Sequence, residues 1–284
     1  MKLLRVGEAG AERPAVRLDD GRIIDVSSAV NEIDGVWLEG GGVERLAAVL
    51  ADGADRFPSV DPGTRIGPPV ARPGHIIAIG LNFADHAKEA GMDLPTEPVV
   101  FSKAPSSYAG PDDDVLIPRG STKTDWEVEL GVVIGRTAEY LPDDEAAMAH
   151  VAGYCICNDV SERDFQLQHG PTWIKGKSAR TFCPTGPWLV TSDEMPDPQS
   201  LAMTLSVNGE LRQTGSTATM IFGVAHLVRY LSQFMVLEAG DLISTGTPPG
   251  VGMGMKPPVY LKAGDVMELE IEGLGRQRQA IRQA

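Results

Sequence analysis

The sequence predicts an α+β protein: a β-dominated domain of mixed sheet over residues 71–284, preceded by a small β-rich N-terminal domain over residues 1–70. Three observations support this. Short apolar runs with strand character recur through the second part of the chain, and only one long stretch there carries helical spacing. Five prolines between Pro58 and Pro73 separate two regions of different texture.

The elements follow in order. Pro14 to Val26 is expected to form a hairpin, with Asp20-Gly21 as the turn between PAVRL and RIIDV. Val43 to Ala51 has a short helical pattern, and FPSVDPGTRIGPPVARPG is a connector. HIIAIGLNF begins as a buried strand and passes into a helix, WEVELGVVIG is a long strand, and MAHVAGYCICNDV contains another. In MTLSVNGEL, Asn208-Gly209 between apolar alternations is a strong hairpin signal. From Met220 to Leu237, apolar residues at 220, 221, 224, 227, 228, 231, 234 and 235 mark one face of an amphipathic helix that stops by Gly240. DLISTGTPPGVG then reads as a strand entering a glycine-proline loop, and the alternation of VMELEIEG ends the sheet. No βαβ series is visible.

The chain has 284 residues, 42% of them hydrophobic and 23% charged, which suits a packed protein and not a disordered one. A formal charge of −14 repels phosphate backbones and anionic lipid, so neither nucleic acid nor membrane is expected as a partner. The same charge repels acidic metabolites, so an acidic substrate would need a locally positive pocket. The N-terminus has no signal-peptide core and no apolar run approaches a membrane span. Cys155, Cys157 and Cys183 form neither a CxxC motif nor a disulfide ladder, which fits buried thiols in a reducing, cytoplasmic setting.

Four segments could carry chemistry. In Asp125-Trp126-Glu127-Val128-Glu129-Leu130, strand alternation places Glu127 and Glu129 on one face and Trp126, Val128 and Leu130 on the other. A solvated strand face would look the same. If buried, the two carboxylates repel and call for a cation, and Asp159 could add a third oxygen ligand. Such a donor set suits magnesium, manganese or calcium, not zinc. In the segment beginning at Asn82, His86 and Glu89 lie three apart, on one side of a helical turn, where a carboxylate can orient an imidazole as general base. Two exposed helix residues are the alternative. Lys175 and Lys177 lie either in a surface loop or, if buried, against an anion. The glycines of Thr245 to Gly252 make a turn, or let backbone amides approach a carboxylate.

Taken in order, GLNFADHAKE, FSKAPSSY, DWEVELGVVIG, NDVSERDFQ, KGKS with FCP, and GDLISTGTPPGVG resemble the fumarylacetoacetate hydrolase family from about Ile76 to Gly273. The resemblance implies the C-terminal roll of that family, with Glu127, Glu129 and Asp159 holding a metal ion, Mg2+ in the first instance and Mn2+ as a possible substitute. It implies a water-activating dyad at His86 and Glu89, and Lys177 beside the developing negative charge. Arg163, Gln166 and Thr247 match substrate contacts, and Lys103 a further one. Some members add an aspartate ligand from the strand before the dyad; here Ile77 to Leu81 contains no carboxylate, which leaves three protein ligands.

The implied substrate is a small anionic keto acid, and the implied assembly a homodimer or larger. WIKGKSARTFCPTGPWLVTSDE and the small N-terminal domain are similar to hydrolases of 2,4-diketo-3-deoxy sugar acids derived from L-rhamnonate or L-fuconate, which release pyruvate and lactate. Rival readings are a ureidoglycolate lyase, a keto-acid decarboxylase or a hydratase-isomerase of the same family, and a metal-bound scaffold that binds keto acids without turnover. A dinucleotide oxidoreductase would need a strand-GxGxxG-helix segment, which is missing.

Overall fold

The computed structural model describes residues 1–85, 93–170, 172–195 and 197–284. The N-terminal strands β1 (Lys2–Val6), β2 (Arg13–Arg17) and β3 (Ile23–Asp25) form an antiparallel meander, with the turn at Asp20-Gly21 where it was expected. The proline-rich connector is not wholly irregular, because β4 (Ile66–Gly67) within it pairs with β1. Then come β5 (Ile76–Gly80), β6 (Val99–Lys103), β7 (Tyr108–Ala109), β8 (Val115–Ile117), β9 (Thr124–Asp125) and β10 (Val128–Ile134). The chain continues through β11 (Val151–Asn158), β12 (Ser161–Glu162), β13 (Cys183–Thr191), β14 (Ala202–Val207) and β15 (Glu210–Ser216). It ends with β16 (Leu242–Ser244), β17 (Val266–Ile271) and β18 (Gly275–Gln283).

Two sheets dominate this α+β fold. The larger is ordered β3-β2-β1-β13-β11-β10-β16-β5-β6, and the smaller β15-β14-β17-β18-β8. Lys2 lies opposite Val190 and Leu3 opposite Leu189, so the large sheet is continuous across residue 70. The β14–β15 hairpin turns at Asn208 and Gly209, whose φ values of 53° and 77° are what a two-residue hairpin turn requires.

The central strands β10 and β11 of the large sheet are buried on both faces. Val128, Leu130 and Ile156 pack with Met203, Leu205, Met267 and Leu269 of the small sheet and with Leu227 and Leu231 of the helix Val224–Leu231. Val133, Cys155 and Cys157 face the other way, towards Leu38 and Leu46 of the N-terminal helices Gly35–Glu39 and Gly42–Ala51. All three cysteines are buried and unpaired, with Cys157 Sγ 3.5 Å from Cys183 Sγ.

Two expectations need correction. The amphipathic helix covers only Val224–Leu231, because the backbone at its flanks is engaged elsewhere. Ile221 N–H donates to Asn82 O at 2.7 Å, and Leu237 N–H to Ala138 O at 3.0 Å. The sheet also does not end at VMELEIEG; β18 follows and pairs along the length of β17. Its inward positions include Gln277 and Gln279, so an apolar alternation could not reveal it. These glutamines brace the strands beneath the site: Gln277 Nε2 donates to Ile156 O at 2.8 Å, and Asn158 Nδ2 to Gln279 Oε1 at 3.1 Å.

Candidate active site

The site forms where β10 begins and β11 and β16 end. Val128 pairs with Asn158 and Gly131 with Ser244, which brings Glu127, Glu129, Asp159 and the Thr245–Gly252 loop together. Alternation works as expected: Trp126, Val128 and Leu130 enter the core, while Glu127 and Glu129 turn to the opposite side. Asp159 reaches the same place from β11, on the side shared with Cys155 and Cys157. One carboxylate oxygen from each of Glu127, Glu129 and Asp159 lies within 4.8 Å of the others, and all three residues are buried. Three converging hard oxygen donors fit a divalent cation of the magnesium, manganese or calcium type.

The carboxylates are enclosed by cations. Lys177, only 2% exposed, donates to Glu127 Oε2 at 2.7 Å and Asp159 Oδ2 at 2.6 Å. Lys103 Nζ donates to Asp159 Oδ1 and, at 3.2 Å, to Val160 O. Arg163 donates from Nη2 to Glu127 Oε1 at 2.7 Å, from Nε to Asp125 Oδ2 at 2.8 Å, and from Nη1 to Gln166 Oε1 at 3.0 Å. Among the described residues Glu129 has no such cation; its Oε2 accepts from Ser244 Oγ at 2.6 Å and from Gly246 N at 2.9 Å. Burial pushes Glu127 up, yet Lys177 and Arg163 outweigh it and hold its carboxyl at about 2. Burial, reinforced by Asp159 and Glu127, drives Glu129 well above the ordinary carboxylate range. Burial pulls Lys177 down, but Asp159 and Glu127 more than compensate and keep its ammonium above its usual value.

Between these groups lies a cavity of about 210 Å³, lined by Glu127, Glu129, Arg163, Gln166, Lys177 and Thr247 on its polar side. This is below the ~300–1,000 Å³ of pockets for drug-sized ligands and suits a small metabolite. Thr247 lines it, but its hydroxyl donates to Val128 O at 2.9 Å and accepts from Gln213 Nε2 at 2.8 Å. A bound carboxylate would therefore compete with Val128 for that proton. Lys103 does not line the cavity and acts on Asp159 from behind. The glycine loop does bring amides to carboxylates, and they are the protein's own: Gly246 to Glu129, and Gly252 to Asp125 at 2.7 Å. His86 and Glu89 lie outside the described residues.

Sequence reasoning missed Asp125. Its carboxylate is fully buried and accepts from Gly252 N, from Met253 N at 3.0 Å and from Arg163, tying the loop to the site's guanidinium. The signal was present, since 125, 127 and 129 share one parity. Phe101, Leu167, Trp173 and Met253 on the cavity's apolar side were also missed, because nothing local distinguishes them from ordinary core or surface residues.

Glu127, Glu129 and Asp159 thus form a buried acidic trio that could hold a metal ion, beside buried lysines and a small cavity. Residues 75–282 match the family model for the fumarylacetoacetate (FAA) hydrolase C-terminal domain. A provisionally named hydrolase of Burkholderia multivorans is 56% identical over 285 aligned residues, covering all of both chains. Among solved structures, a fumarylacetoacetate hydrolase from Exiguobacterium antarcticum is 39% identical with TM-score 0.85, covering both chains completely. Maleylpyruvate hydrolase from Sphingobium sp. SYK-6, in complex with manganese (II) ion and pyruvate, is 27% identical with TM-score 0.83, again over both chains. A 5-carboxymethyl-2-hydroxymuconate delta-isomerase from Mycobacterium smegmatis is 29% identical with TM-score 0.78, covering 100% of this chain and 99% of that one. The chain belongs to the fumarylacetoacetate hydrolase family, whose members are hydrolases or isomerases. Among the described residues, no helix is long and apolar enough to cross a membrane.

Proposed function

We propose that this protein is a metal-dependent hydrolase that cleaves the C3–C4 bond of a 2,4-diketo-3-deoxy acid derived from L-rhamnonate or L-fuconate, yielding pyruvate and lactate. The observation carrying this reading is the convergence of Glu127, Glu129 and Asp159 within 4.8 Å beside the buried cations Lys177 and Arg163. Those three carboxylates would hold the ion, magnesium by preference, with manganese as a substitute. The manganese and pyruvate in the Sphingobium relative support both ion class and product. When bound, such an ion supplies Lewis-acid polarisation to a chelated 2-keto acid head.

The chain's own residues do the rest. Arg163 and Lys177 provide the positive surroundings that an acidic substrate needs in a protein of charge −14. Gln166 and Thr247 orient the head group. His86, held by Glu89, takes a proton from water, whose oxygen bonds to C4. The C3–C4 bond then breaks, its electron pair passes to the pyruvate fragment as an enolate near Lys177, and a proton returned to C3 completes pyruvate. The C4 fragment leaves as lactate. We further propose a cytoplasmic homodimer or larger assembly, with neither nucleic acid nor membrane as partner.

Incubation with the diketo acid and magnesium, with pyruvate and urea assayed separately after incubation with ureidoglycolate, tests this. Pyruvate from the diketo acid is expected; urea without pyruvate overturns it. His86→Ala should retain pyruvate or oxalate binding while turnover falls about 10²- to 10⁴-fold. Unchanged turnover would remove the dyad from the mechanism.

A further inference from the structure

The cavity has two chemically different ends, and side-chain exposure gives its axis. The floor is charged and closed, with Glu127, Glu129, Arg163, Gln166 and Lys177 each no more than 7% exposed. Among the described residues the mouth is lined by apolar side chains: Leu167 is 47% exposed and Met253 37%, with Trp173 beside them on the lining. Trp173 is held in place. Its ring meets Phe101 edge-on at 5.2 Å, and a Cβ on Gly80 would lie 2.5 Å from its Cζ3, so the indole packs directly on bare backbone of β5. Large apolar side chains left in water around a pocket mouth mark a surface that gains from covering by an apolar ligand group.

Charge bookkeeping at the floor points the same way. Among the described residues, the buried carboxylates of Asp125, Glu127, Glu129 and Asp159 face the buried cations of Lys103, Arg163 and Lys177, one fewer in number. A divalent ion would turn this single negative charge into a single positive one, which one substrate carboxylate neutralises. These three cations are already engaged with carboxylates, and Leu167 and Met253 offer a second carboxylate no strong donor.

We infer that Leu167, Trp173 and Met253 determine specificity for the acyl end of the substrate, selecting a monoanionic keto acid with an uncharged, apolar tip over one bearing a second carboxylate. The inference deepens the proposed function, taking from it the placement of the keto-acid head at the floor. A terminal methyl meets this requirement, and a distal carboxylate does not.

Calorimetric titration of the magnesium-loaded full chain with two acids of equal length tests it without turnover. 2-Oxopentanoate has an alkyl tail; 2-oxopentanedioate ends in a second carboxylate. The monoanion should bind at least about tenfold more tightly. Leu167→Arg and Met253→Lys, both at exposed positions, should narrow or reverse the ratio while leaving magnesium affinity unchanged. Equal or tighter binding of the diacid by the unmodified protein overturns the inference, as does a ratio untouched by both substitutions, or no binding of either acid. A preserved preference without pyruvate release from any diketo acid would count against the hydrolase reading alone.

Discussion

Asp125 is the residue whose loss should reveal most about how the site is held. Asp125→Asn keeps the shape and removes the charge. The amide cannot serve Arg163 Nε, Gly252 N and Met253 N together, because one of its two polar atoms is itself a donor. Both Arg163 and Asp125 are buried, so the guanidinium loses a partner that water cannot replace. Breaking a buried ion pair from one side costs about 3–5 kcal/mol. With an unfolding entropy of about 2.1 cal/mol/K per residue, 284 residues give about 0.6 kcal/mol/K, and Tm should fall by about 5–8 °C. Differential scanning calorimetry at matched magnesium concentration measures this directly. KM should also rise, because Arg163 and the Met253 loop lose their common anchor. A Tm within about 2 °C of the unmodified protein would refute the reasoning, since it would mean the pair contributes no more than a solvated one.

Two further outcomes follow from the geometry. Glu129→Gln keeps an acceptor for Ser244 and Gly246 and removes a carboxyl whose pKa the fold raises above 4.5. The stability linked to protonated Glu129 is complete below that value and is lost as pH rises through the folded-state pKa. In chelator, the variant should therefore melt with the unmodified protein near pH 4.5 and increasingly above it towards pH 8. Added magnesium should raise the Tm of the unmodified protein much more than that of the variant; a gap independent of pH would refute the assignment. Gly80→Ala places a methyl 2.5 Å from Trp173 Cζ3, so the indole must shift. Tryptophan emission should change and 2-oxopentanoate affinity fall about tenfold; identical spectra and affinity would show that the mouth does not depend on this contact.

What could be read from the sequence was local. Asp20-Gly21 and Asn208-Gly209 announced their turns because each step dictates its own backbone geometry. Alternation along residues 125–130 already placed Glu127 and Glu129 on one face, since a strand's side chains reverse at every residue regardless of what lies beside them. Distant partners decided the rest. β18 was invisible because its inward side is partly glutamine, and only the carbonyls of neighbouring strands make that side satisfactory. The long helical face was cut short because Asn82 and Ala138, remote in the chain, take the hydrogen bonds its ends would have used. The charge of the floor shows the division most clearly. Three carboxylates and an ion imply a negative site when counted from the sequence. The family resemblance already named Lys103, Arg163 and Lys177 as the compensating cations; the fold fixes which carboxylate each one meets, Lys103 with Asp159, Arg163 with Glu127 and Lys177 with Glu127 and Asp159. Sequence determined which charges exist and which way each strand presents them; tertiary pairing determined which charges meet, because Coulomb energies depend on distances through space that no local pattern records.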